Sequence, residues 1–133
     1  MRTLKLIASM VLLMGSWSFA HAQKTTEKFI PIGKSPGLSG KFTLIGKIEA
    51  VDPQKNTLTC ADSTGTHTVK VAEQTRIWLD RSRLNQTNQT GALTDCQKGR
   101  LVEVKFVDKA RKEGPAEWIK VGVGGYGSTT RKP

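Results

Sequence analysis

Apolar and polar residues alternate in short runs through the middle of the chain, and each run stops at a turn. Residues 41–51 (KFTLIGKIEAV) read as a strand, and Gly46 inside it predicts a bulge or sharp bend. Asp52-Pro53-Gln54-Lys55-Asn56 is turn chemistry, because Pro fixes φ while Asp and Asn bond their own backbone. Residues 57–61 form the second predicted strand, Asp62-Ser63-Thr64-Gly65 a turn, and residues 67–72 the third, with Val69 and Val71 on one face. Residues 75–79 (TRIWL) read as a short extended piece. In residues 100–107, Val102, Val104 and Phe106 face one way, Glu103 and Lys105 the other. In residues 116–123, Ile119, Val121 and Val123 oppose Trp118 and Lys120.

Between residues 80 and 97 the alternation lapses. Residues 85–90 (NQTNQT) read as an exposed polar loop, and residues 91–98 hold one helical turn that ends at Gly99. Five principal strands with turn signals between them predict an all-β fold. Antiparallel strands protect their edges best by closing on themselves, so the expected form is a small five-stranded OB-like barrel with one short helical turn between strands 3 and 4. An SH3-like barrel is the main alternative. No long amphipathic helix is evident, which argues against α/β.

The flanks read differently. Arg2 and Lys5 precede the apolar run LIASMVLLM, and Ala20-His21-Ala22 is a small-x-small cleavage signal, so residues 1–22 read as a bacterial-type secretory signal peptide. The run is short for a bilayer and no long apolar segment follows, so no membrane span is expected after cleavage. The expected location is periplasmic or secreted. Residues 23–40, rich in Pro, Gly and Ser, read as a flexible linker, and residues 124–133 as a flexible tail, leaving residues 41–123 as the one domain.

Composition then narrows the chemistry. The chain carries 21 Lys and Arg against 11 Asp and Glu. About half of the excess left after the leader lies in the linker and tail, so the barrel itself is only moderately basic. The residues after the leader contain no Met and one His, His67, so no metal or cofactor is expected. Asp62 and Ser63 stand near His67 at a spacing that fits no catalytic triad, and catalysis is not expected. Cys60 and Cys96 most simply form one disulfide in an exported chain, worth about 3–4 kcal/mol on the chain-entropy account.

Gly46-Lys47-Ile48-Glu49-Ala50-Val51-Asp52, Asn56-Thr57-Leu58-Thr59, Thr75 with Ile77, and Gly99-Arg100-Leu101-Val102-Glu103-Val104 together resemble domain-of-unknown-function family 5666. That family consists of small exported bacterial domains. The resemblance spans roughly residues 41–123. It implies an OB-like barrel and an exported location, and carries no catalytic residues across. The family pattern has an apolar residue where Cys96 stands, which implies a disulfide added to the common scaffold.

The remaining candidate chemistry is aromatic and basic. Arg76 and Trp78 share one side of their segment, as do Trp118 and Lys120, while Lys105 alternates against Val104 and Phe106. If these outer faces adjoin, two indoles and several cations form a ligand-binding face for a glycan or an anionic polymer. The expected function is a non-catalytic, monomeric binding module of the cell envelope, its partner an anionic polymer, a glycan or another protein. A single-stranded nucleic-acid-binding OB domain and a structural component of an envelope assembly are the alternatives.

Overall fold

The computed structural model describes residues 26–124. The leader and nearly all of the tail lie outside the described residues. Seven strands follow in order: β1 (Thr43–Asp52), β2 (Thr57–Asp62), β3 (Gly65–Lys70), β4 (Arg76–Asp80), β5 (Gln89–Thr90), β6 (Leu101–Phe106) and β7 (Gly114–Gly122). Helical structure among the described residues is limited to Thr26 and Glu27 and to two 3-10 turns, Ser82–Leu84 and Leu93–Asp95. The second falls inside the predicted helical turn.

The strands lie in the order β3-β2-β1-β6-β7-β4-β5, and an additional β3–β7 pairing closes five of them into a barrel. Closure is parallel, with Val69 opposite Gly114 and Lys70 opposite Pro115. The small all-β barrel expected from the alternation is therefore present. Its interior holds Val69, Val102, Val104, Phe106, Ile119 and Val121, as the alternation predicted, together with Leu44, Ile48 and Leu58, while Val71 and Val123 are partly buried against it.

Three local details differ from the sequence reading. The TRIWL segment is a full strand: β4 runs parallel to β7 from Arg76 opposite Trp118 to Asp80 opposite Gly122. One edge of β7 thus serves β3 first and β4 afterwards. Second, the β1–β2 register shifts between Ile48 and Ala50, so the bulge falls at Glu49 and not at Gly46. Gly46 answers to a different constraint, since a Cβ there would stand 2.2 Å from the Ala61 carbonyl oxygen. Third, Cys60 and Cys96 are free, buried thiols. The expected bond between them is absent from this structure. Cys96 Sγ instead lies 4.0 Å from the carbonyl oxygen of Ala92, across the 3-10 turn.

The largest difference concerns residues 26–40, read as linker. Together with residues 41 and 42 they form an ordered strap across the outer face of β4, β7 and β6. Ile32 and Ser35 are buried. The strap is held by charged side chains projecting from the sheet. Glu103 accepts hydrogen bonds from Gly33 N–H (2.9 Å), Ser39 Oγ (2.7 Å) and Thr43 Oγ1 (2.8 Å). Asp80 accepts from Ile32 N–H at 2.8 Å. Lys120 Nζ reaches Glu27 Oε1 at 2.7 Å and Ser35 Oγ at 3.3 Å. Glycines and serines suit such a strap, because they expose backbone N–H groups and short hydroxyls to buried carboxylates, which must be satisfied where water is excluded.

Candidate functional site

The register of the sheet brings the predicted aromatic and basic residues together. Arg76 and Lys105 both lie opposite Trp118, on either side of it, and Trp78 lies opposite Lys120. The indoles of Trp78 and Trp118 stack with centroids 5.7 Å apart and planes 29° apart. Lys120 Nζ sits 4.5 Å from the Trp118 ring centroid, a cation–π contact.

Exposure is where the expectation fails. Trp78, Trp118 and Lys120 are 4%, 3% and 1% exposed, so they do not form an open platform. For Lys120 the strap is the reason, because it supplies a second layer against the ammonium group, whereas the two indoles stack on each other and Trp118 on the Lys120 ammonium. Lys120 faces Glu27 and Ser35 within that layer and is not available to a ligand. Lys105 is only partly buried but is engaged, its Nζ 2.6 Å from Glu117 Oε1.

Beside the strap the two indoles line a groove of about 380 Å³. Its walls are Ala72, Ala116, Pro115 and Val107, and its polar groups are Gln74, Arg76 and Glu117. The volume falls within the usual range for small-ligand sites, and an apolar lining with few polar groups is their usual character. Three of the five predicted binding residues, Arg76, Trp78 and Trp118, therefore meet at one groove. Lys105 supports it from behind Glu117, and Lys120 lies outside it.

Local structure fixes the groove's geometry. Thr75 Oγ1 donates to the Ala116 carbonyl at 2.6 Å and accepts the Ala72 N–H at 2.8 Å. This pins the bend between β3 and β4 onto β7 and sets Gln74 and Arg76 at the mouth. Val107 N–H bonds the Pro115 carbonyl at 2.9 Å and closes the opposite side. Gln74 and Glu117 were not singled out from the sequence. Glu117 could have been found from its place beside Trp118, whereas Gln74 gave no signal.

A second, shallower hollow of about 570 Å³ lies on the outer face of β1, β2 and β3. Thr57, Thr59 and Thr68 line it with Asp52, Pro53 and Lys55. Its chemistry is mainly hydroxyl, whereas non-specific single-strand binding relies on aromatic platforms. His67 is set apart from both hollows. Its Nε2 is 3.0 Å from Asp62 Oδ1 and 3.1 Å from Thr64 Oγ1, all within the β2–β3 hairpin end.

Comparison of the chain with protein families, with characterised proteins and with solved structures gave no match. Among the described residues, no helix is long and apolar enough to cross a membrane.

Proposed function

We propose that this chain is a non-catalytic, exported binding module of the cell envelope, and that the Trp78–Trp118 groove is its ligand site. The observation that carries the reading is the groove itself: a ligand-sized apolar hollow, two stacked indoles in its wall and a guanidinium at its mouth. Of the partners considered, a glycan or anionic polymer fits this chemistry best. The excess of Lys and Arg over Asp and Glu, which persists once Arg2 and Lys5 leave with the leader, would favour encounter with a polyanion. The hydroxyl character of the β1–β3 face speaks against a nucleic-acid stacking platform.

The test is intrinsic fluorescence of the purified protein, titrated with an acidic polysaccharide, peptidoglycan fragments and single-stranded DNA at low and high salt. A saturable change with one carbohydrate, weakened in Trp78→Phe and Arg76→Gln, supports the reading. Saturable binding that neither variant alters moves the site elsewhere. Absence of binding to any of them removes the carbohydrate reading.

Export also bears on the cysteines. An oxidised dithiol partner would accept two electrons from Cys60 and Cys96, two protons would leave, and one S–S bond would form. Protein recovered from the envelope would then be about 2 Da lighter than its reduced form. An unchanged mass would leave the two thiols as they stand here.

A further inference from the structure

Donors outnumber free acceptors around the groove. Arg76 is exposed and makes no hydrogen bond or ion pair with another described side chain. The Trp78 and Trp118 rings are more than nine-tenths buried and line the same hollow. Neither indole N–H donates to a described protein group; their polar contacts with the rest of the molecule are through the rings. A buried indole N–H ordinarily finds an acceptor. The groove's one carboxylate, Glu117, is already held by Lys105 at 2.6 Å.

We propose that the groove takes a single carboxylate-bearing sugar unit of an anionic polysaccharide, with its carboxylate on Arg76 and its hydroxyl or ring oxygens on the indole N–H groups. This inference rests on the groove being the ligand site. A sugar acid matches the inventory on three counts. It carries an anionic fork suited to a guanidinium. It is rich in acceptors, which the two indole donors require. Its C–H faces are apolar enough for Ala72, Pro115 and Val107. A peptide carboxyl terminus offers the same anion, but its backbone N–H groups only donate, whereas each sugar hydroxyl can also accept from an indole N–H.

The experiment is a titration of the ¹⁵N-labelled full chain with a galacturonic acid trisaccharide and, separately, with the neutral galactose trisaccharide. The indole cross-peaks are assigned through Trp78→Phe and Trp118→Phe. The expected result is a saturable shift of at least one of these indole N–H signals with the acidic sugar, little or none with the neutral sugar, and about tenfold weaker binding in Arg76→Gln. The same spectrum shows whether each variant is folded. Equal shifts by both sugars, insensitive to Arg76→Gln, would overturn the carboxylate assignment and leave the groove as a ligand site. Unmoved indole signals with both sugars would overturn this inference. If other residues shift saturably instead, the groove is not the site. If none does, binding of this class is excluded.

Discussion

Asp62 is held ionised by the turn it begins. The hydroxyl of Thr64 at 2.6 Å contributes most, His67 at 3.0 Å comes next, and together with the Thr64 N–H at 2.9 Å they hold its carboxyl well below the usual range. A carboxylate with a depressed pKa stabilises the fold above its ordinary titration range, and that contribution fades as pH falls toward the folded value. Asp62→Asn should therefore lower stability at neutral pH by about 1 kcal/mol, the worth of a charged hydrogen bond discounted for exposure. The deficit should shrink below about pH 4, as chemical denaturation at several pH values would show. The cysteines behave in the opposite sense. Burial, with Cys96 and then Glu49 adding to it, pushes the Cys60 thiol up to about 12. Burial, with Asp95 adding and Arg100 opposing, does the same at Cys96. Since the thiolate is the reactive form, both should resist alkylation at pH 8 in the reduced native protein and react fully once that reduced protein is unfolded. Rapid labelling of the native protein would show that the 3-10 segment opens readily.

Two elements carry constraints that act over longer distances. In β1, Gly46 lies where β2 passes so closely that a side chain would meet the Ala61 carbonyl at 2.2 Å. Gly46→Ala should cost at least about 1–3 kcal/mol, the usual penalty of overpacking, and would read out as a lowered Tm. In the strap, the Glu27 carboxylate is the charge partner of Lys120, whose side chain is 1% exposed. Removing one partner of a buried pair leaves the other charged and unpaired, at a cost of about 3–5 kcal/mol. Glu27→Gln should fall near the low end, because Ser35 and the Trp118 ring still contact the ammonium group. Loss of Lys120 and Glu27 together should cost less than the sum of the two single changes, which a double-mutant cycle would measure.

At the scale of the molecule, the barrel and strap form two layers on one sheet. The inner layer is the closed barrel core. The outer layer sandwiches β4, β6 and β7 against residues 26–42, with Glu103, Asp80 and Lys120 as its polar anchors. A chain beginning at Lys41 would uncover those charges and the apolar surface beneath Ile32. It should bind a hydrophobic dye strongly and unfold at a much lower denaturant concentration than the full chain. Unchanged stability in that truncation would mean that the strap contributes little.

Much of this architecture was legible in the sequence because strand alternation has a period of two, which no other element imitates. Val102, Val104 and Phe106 could only share one face, and so could Ile119 and Val121. The alternation also placed Arg76 with Trp78 and Trp118 with Lys120, which the sheet register brings together. Alternation reports which side of a strand a residue occupies, not what lies against that side. The strap has no such period: its Gly, Pro and Ser pattern is the same for a solvated linker and for a segment whose N–H groups meet buried carboxylates. Only the tertiary structure decided that, and with it the burial of Trp78, Trp118 and Lys120 and the reduction of a broad basic face to one groove. The thiols follow the same logic. Two cysteines in sequence fix how many bonds could form, while the positions of Cys60 in β2 and Cys96 after its 3-10 turn are set by the packing of the whole barrel.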